Sequence, residues 1–283
     1  VQFVESFVHQ KPEGGGVQLI YAAVLGSPIS HSLSPLLHRL AYKHVGIEGR
    51  YEAIEVKSGD LARFLSTTTN DAFSLTMPLK EEALGIAHNI SQIAKRISGG
   101  NTLVRSDTGW NLTSTDVDGF KYALIGHGIS KVEHCLVIGA GATARAAVAA
   151  VSDAADTITV INRNPEREAQ MKTAAGREVM FVPWEINLQI NTADLVINTT
   201  PAHAADEFQV SLKSPQGTFF EVLYHPWPTA LAQSWMNSSQ KVIDGLDLLI
   251  HQAISQVEIF GQLSVNRSEM YDLLRKAALD QIC

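Results

Sequence analysis

Cys135-Leu136-Val137-Ile138-Gly139-Ala140-Gly141-Ala142-Thr143-Ala144 is the stretch whose reading decides the fold. An unbroken apolar run ahead of a glycine turn reads as a buried strand. A helix is expected next over Thr143–Ser152, and Thr157–Ile161 reads as the following strand. Each small residue of Gly139-x-Gly141-x-x-Ala144 has a physical task. Gly139 permits the tight turn, Gly141 lets a pyrophosphate approach the N–H groups at the helix start, and Ala144 lets helix and strand pack closely. A lone Gly-x-Gly-x-x-Ala is a weak signal, but strand before and helix after is the context it needs. Gly139, Ala140, Gly141, Ala142, Thr143 and Ala144 are therefore read as a dinucleotide-binding turn.

The end of the second strand sets the type of dinucleotide. An NAD protein usually places Asp or Glu there, to bind the ribose 2′-OH. This chain has Asn162 and Arg163, with Arg167 four residues on. A carboxylate would repel a 2′-phosphate, whereas a guanidinium can hold one bidentately. The expected cofactor is NADP, and the expected activity is that of a reductase or dehydrogenase.

Working outward, strands at Val179–Val182, Asp194–Asn198, Gly217–Leu223 and Lys241–Ile243 complete a Rossmann-type run, with a helix near Pro165–Ala175. Asn198-Thr199-Thr200-Pro201 lies where ligands of open α/β sheets bind, outside a strand's carboxyl end. It equally fits an ordinary turn. Before this run, strands at Val17–Leu25, Tyr51–Val56 and Ala72–Met77 alternate with helices, as in a smaller α/β domain. Ser34 reads as an N-cap with Pro35 at the first helical position. A helix is expected from Asp118-Gly119-Phe120 to around Gly126–Gly128, and the chain from Leu246 on reads as helical.

The chain has 283 residues, 45% apolar and 18% charged, with a net charge of −7. That fits about two globular domains and argues against a nucleic-acid binder. Cys135 and Cys283 lie in neither a C-x-x-C nor a zinc pattern, so neither disulfide framework nor metal site is expected. No apolar run is long enough to span a membrane, and no secretory signal is read. Residues 1–16, ending Lys11-Pro12-Glu13-Gly14-Gly15-Gly16, read as a flexible extension. A cytoplasmic protein is expected.

Several polar residues of the first half stand where a core would not want them. Ser32 and Ser34, beside a helix start, suit a carboxylate, although Ser34 is also explained as a cap. Lys80 follows a short strand and a proline, and is also explained as a solvated lysine. Asp116 competes with Asp118 for the capping position of the next helix.

From Tyr21 on, the chain resembles the shikimate dehydrogenase family. Gly26-Ser27-Pro28-Ile29-Ser30-His31-Ser32-Leu33-Ser34-Pro35 is similar to that family's substrate-carboxylate motif, and Thr76-Met77-Pro78-Leu79-Lys80 to its catalytic-lysine motif. Gly100-Asn101-Thr102 and Thr115-Asp116-x-x-Gly119 match the next two. Asn162-Arg163-Asn164 with Arg167 resembles the NADP-phosphate clamp, and Asp244-Gly245-Leu246 with Gln252 the C-terminal substrate motif. The resemblance implies NADPH-dependent, reversible reduction of 3-dehydroshikimate to shikimate in aromatic amino-acid biosynthesis. It implies that Ser32 and Ser34 hold the carboxylate, and that Thr76, Asn101, Asp116 and Gln252 hold ring hydroxyls. It places Tyr224 near the nicotinamide, with Gly245 and Leu248 also on the cofactor side and Asn198, Thr199 and Thr200 flanking it. Lys80 and Asp116 become the catalytic pair. Departures are Ser114 where the family has Asn, Leu248 where methionine is usual, and Ala202-His203 where a small residue and glycine are usual.

The expected architecture is an N-terminal α/β substrate domain over 17–118 and a Rossmann-type NADP domain over 119–245. The helices of 246–283 are expected to return to the first domain. The expected partner is a small molecule, not nucleic acid or membrane, and the chain is expected to be a monomer or homodimer.

Overall fold

The structure is a computed structural model and describes residues 19–185 and 188–282. The proposed extension at 1–16 and the start of the first expected strand lie outside the described residues, as does Cys283. In chain order the first elements are β1 (Leu19–Gly26), α1 (Ser34–Val45), β2 (Glu48–Glu55), α2 (Leu61–Thr67), β3 (Ala72–Leu75), α3 (Leu79–Glu82), β4 (Asn89–Ile90), α4 (Gln92–Arg96), β5 (Thr102–Ser106) and β6 (Gly109–Thr113). There follow α5 (Asp116–Gly126), β7 (Val132–Ile138), α6 (Ala142–Val151), β8 (Ala155–Asn162), α7 (Glu168–Ala175), β9 (Met180–Pro183), β10 (Leu195–Asn198), β11 (Thr218–Glu221), α8 (Ala230–Asn237), β12 (Val242–Ile243), α9 (Gly245–Gly261) and α10 (Arg267–Ile282).

These elements form two compact α/β units. One holds the chain to Ser91, Gly100–Thr115 and Ala253 onward; the other holds Gln92–Gly99 and Asp116–Gln252. The expected divisions at 118/119 and 245/246 thus differ from these, and Gln92–Gly99 belongs to the second unit. Its attachment is made by arginine side chains hydrogen-bonded to backbone carbonyls. Arg145, fully buried on α6, donates to the carbonyls of Ile97 at 2.6 Å and Ser98 at 3.0 Å. Arg96 donates to the carbonyls of Ala174 and Ala175 at the end of α7, each at 2.8 Å.

The first unit's sheet has the order β2-β1-β3-β5-β6-β4. β1 runs parallel to β2 and β3, but β5 is antiparallel to β3 and to β6. The β5–β6 hairpin went unread in the sequence. Its turn uses Gly109 at φ 123°, a left-handed conformation that glycine adopts at little cost. Ser34 is the first residue of α1, not its N-cap: Leu33 holds the cap position without a side-chain bond, and Pro35 follows within the first turn. The reason lies two residues upstream, where the Ser32 hydroxyl accepts the Ser34 N–H at 3.3 Å.

The second unit's sheet has the order β12-β11-β10-β7-β8-β9, and every pairing is parallel. The sheet order reverses between β7 and β10, the topological switch point of a doubly wound fold. The run Cys135–Ile138 is β7's core and is buried on both faces, as its lack of alternation implies. Cys135 and Val137 join the apolar cluster under α5, α6 and α7. Leu136 and Ile138 join the opposite cluster, closed by Phe219 and Trp235 stacked at 4.5 Å. Trp235 sits on α8, a helix the sequence reading omitted. The expected helix near Pro165–Ala175 divides into a short 3₁₀ turn and α7. The helix expected from Gly119 begins earlier, so Asp116 and Asp118 both lie in the first turn of α5. No helix among the described residues is long and apolar enough to cross a membrane.

Candidate active site

In the first unit, polar residues gather where β1 and β3 end side by side. Thr76 N–H donates to the Leu25 carbonyl at 2.9 Å, and Ser27 N–H to Met77 at 3.0 Å. The approach leaves no room for a side chain on Gly26, whose Cβ would sit 2.4 Å from the Thr76 methyl. β5 runs the other way, so its start reaches the same edge. Leu75 N–H donates to the Asn101 carbonyl at 2.7 Å, and Gly100 N–H to the Lys80 carbonyl at 2.9 Å. The edge therefore brings together Thr76, Lys80 on α3 and Asn101, while Ser32 lies in the loop after β1 and Ser34 opens α1. Ser34 and Asn101 are buried; Ser32, Thr76 and Lys80 are half-buried.

Asn101 is held by a buried relay. Its Oδ1 accepts the Thr115 N–H at 2.8 Å and the Thr102 hydroxyl at 2.7 Å. Its carbonyl and the Thr102 hydroxyl each accept from the Gln256 amide at 3.0 Å. Gln256 Oε1 accepts the Ser74 hydroxyl at 2.7 Å, and Ser74 accepts from Tyr51. His38 completes the relay, stacked on Tyr51 at 3.9 Å and 3.3 Å from Gln256. Full burial lowers the His38 pKa to about 3, only partly countered by its bond to Gln256, so the ring is neutral at physiological pH. Gln256 was missed in the sequence, though a polar residue four positions after Gln252 on an apolar helix is a signal of a shared polar face.

In the second unit, the ends of β7, β8 and β10 lie in register, Ile138 pairing with both Ile161 and Asn198. That aligns Gly139, Asn162 and Thr199 on one edge. Gly139 has φ 108°, and a Cβ there would stand 2.6 Å from Thr199 Oγ1. Gly141 caps α6 and has open space around it, as a backbone that receives a pyrophosphate requires. Ala140, Ala142 and Thr143 are half-buried around that turn and Ala144 is buried beneath it. Asn162 Oδ1 is buried without a hydrogen-bond partner, an unmet polar group that a nucleotide hydroxyl would satisfy. Arg163 is exposed beside it, over the Trp184 ring at 4.1 Å. Arg167 is half-buried, whereas the Asn164 side chain is occupied in accepting the Glu166 N–H.

Asn198 and Thr200 are taken up internally. The Asn198 amide donates to both oxygens of Glu221, at 2.9 and 3.2 Å, and its Oδ1 accepts the Thr200 N–H and hydroxyl. Their side chains thus follow the turn reading, and so does Thr199, whose hydroxyl donates to the Ile138 carbonyl at 2.8 Å beside Gly139. Burial pushes the Glu221 carboxyl above the ordinary range, against the pull of Asn198 and Thr229. Glu221 was also missed, although an acid closing the strand Thr218-Phe219-Phe220-Glu221 calls for partners.

Asp116 opens α5, which approaches α9 closely: a Cβ on Gly119 would stand 3.0 Å from Leu248 and 3.1 Å from Gln252. Gln252 donates to the Leu249 carbonyl at 2.7 Å. Tyr224 follows β11, half-buried, and Gly245 N–H donates to the adjoining Leu223 carbonyl at 3.3 Å. Among the described residues no cluster of His, Cys, Asp or Glu could hold a metal.

A glycine turn at the switch point of a parallel sheet, with an arginine where NAD proteins carry an acid, defines an α/β protein of the NADP-binding class. The substrate-binding-domain model of shikimate dehydrogenase matches residues 24–103, and the shikimate/quinate 5-dehydrogenase model matches 123–207. The chain belongs to the shikimate dehydrogenase family. It is 31% identical to the shikimate dehydrogenase (NADP(+)) of Prochlorococcus marinus, over 90% of this chain and 97% of that one. The crystal structure of Mycobacterium tuberculosis shikimate dehydrogenase is similar with a TM-score of 0.82 and 34% identity, covering 91% of this chain and 99% of that one. The Thermus thermophilus shikimate 5-dehydrogenase in complex with NADP(H) and shikimate has a TM-score of 0.78 and 30% identity, covering 91% and 99%.

Proposed function

We propose that the chain catalyses the NADP-dependent, reversible reduction of 3-dehydroshikimate to shikimate, in aromatic amino-acid biosynthesis. The observation that carries this reading is the edge of the first sheet where Thr76, Lys80 and Asn101 meet, with Ser32 and Ser34 in the segment that follows β1, in a chain of this family. The Prochlorococcus relative carries that name, and the Thermus structure holds both NADP(H) and shikimate. The same reading makes the chain a cytoplasmic monomer or homodimer that acts on a small molecule, not on nucleic acid or membrane.

Ser32 and Ser34 bind the substrate carboxylate. The Ser32 hydroxyl is oriented by the Ser34 N–H, and the Ser34 hydroxyl is released from capping duty. Thr76, Asn101 and Gln252 hold ring hydroxyls, and Asn101 is fixed by its relay to Gln256. Gly139–Ala144 cradle the pyrophosphate, Asn162, Arg163 and Arg167 take the 2′-phosphate ribose, and Tyr224, Gly245 and Leu248 line the nicotinamide side. When bound, NADPH supplies the hydride. Negative charge then builds on the substrate's carbonyl oxygen. The Lys80 ammonium stabilises that charge and can pass it a proton, while Asp116 holds the adjacent hydroxyl. Adding shikimate and NADP⁺ to the purified chain and identifying the product by NMR tests the assignment. 3-Dehydroshikimate is expected; its absence from a folded sample overturns the reading.

A further inference from the structure

Arg163 is not alone over its ring. Trp184 stands between it and the core, 4.1 Å from the guanidinium on one side and edge-on to the fully buried Phe208 at 5.0 Å on the other. The indole N–H donates to Glu207 Oε1. That same oxygen lies 3.8 Å from Arg163 Nη2, which also donates to the Ala204 carbonyl at 2.9 Å. A carboxylate is therefore held beside the cation by a neutral donor that does not neutralise it. Arg163 and Trp184, with Asn162 and Phe181, line a cleft of about 480 Å³ beyond the end of β8. Glu168 lines it too, but among the described residues no ion pair joins Glu168 to Arg163.

We propose that Glu207 is a cofactor-specificity residue, which tempers the preference for NADP over NAD by competing with the 2′-phosphate for Arg163. The proposal rests on the reading of Arg163 as the phosphate clamp. The Arg163 and Glu207 side chains are 59% and 60% exposed, so their pairing adds little to folding and is free to serve binding. A 2′-phosphate arriving at Arg163 must displace this carboxylate and then remain near it, with like charges opposed. A 2′-hydroxyl meets no such cost and can donate to a carboxylate, the arrangement NAD proteins use. The acid missing from the end of β8 is thus partly restored from the turn Asp206–Ser211, on another element.

Glu207→Gln separates charge from geometry, because the amide oxygen can still accept the Trp184 N–H. Binding of 2′,5′-ADP and of 5′-AMP to the full chain would be measured by calorimetry for wild type, Glu207→Gln, Trp184→Phe and Arg163→Ala. Glu207→Gln is expected to tighten 2′,5′-ADP by about threefold or more, with 5′-AMP within about twofold, and to raise the NADP⁺/NAD⁺ ratio of kcat/KM. Trp184→Phe, which frees the carboxylate while keeping a ring under Arg163, is expected to shift 2′,5′-ADP the same way by less. Unchanged or weaker 2′,5′-ADP binding in Glu207→Gln, with Arg163→Ala still selectively damaging it, overturns the proposal alone. An Arg163→Ala that weakens both ligands equally overturns the clamp reading itself.

Discussion

Lys80 is half-buried on α3, its carbonyl tied to Gly100 and its neighbours Thr76 and Asn101 on one sheet edge. Removing a positioned proton donor usually costs about 10²–10⁴ in rate. Lys80→Ala is therefore expected to lose turnover on that scale with an unchanged circular dichroism spectrum; turnover near wild type would remove Lys80 from the chemistry. Arg163→Ala is expected to raise KM for NADPH much more than for NADH, as paired steady-state assays would show. These residues stand out as candidates in the sequence because each sits next to a local signal, a glycine turn or a strand end. Gln256, Trp184 and Glu221 do not, because their meaning lies in long-range contacts. Gln256 finds Asn101 across 155 positions, and no window of sequence contains both.

At the scale of elements, the strand–turn–helix at β7–α6 was readable since apolar run, glycine spacing and helix start agree. Gly139→Ala places a side chain at φ 108° and against Thr199 Oγ1. It is expected to weaken NADPH binding and lower the melting temperature, and a calorimetric titration showing wild-type affinity would contradict the turn's role. The β5–β6 hairpin escaped because the chain around it was expected to alternate strand and helix, whereas its turn glycine works inside an antiparallel pair. α8 escaped although Thr229 caps it by accepting the Ala232 N–H at 3.2 Å. Its Trp235 has no exposed surface, and Trp235→Ala is expected to cost about 3–5 kcal/mol in denaturant unfolding.

For the molecule as a whole, two α/β units and a Rossmann sheet were legible from the alternation of strands and helices. The return of Gln92–Gly99 to the second unit was not, because it depends on two arginines whose acceptors are distant carbonyls. Buried His38 adds a stability signature. Its folded pKa, about 3, lies below the ordinary histidine value of 6.5. Below the unfolded pKa the unfolded chain binds a proton that the native chain refuses, so His38's contribution is intact above it and is lost as pH falls toward the folded value. Stability is expected to drop by up to about 1.4 kcal/mol per pH unit over that window. In urea titrations His38→Gln should flatten this slope; an unchanged slope would place it elsewhere. The central claim is tested most directly by initial rates of nicotinamide reduction with shikimate or quinate, each paired with NADP⁺ or NAD⁺. Fast turnover with shikimate and NADP⁺, and much slower turnover with every other pair, is the expected result. Absence of turnover with all pairs in a folded sample, or a preference for quinate, would contradict it.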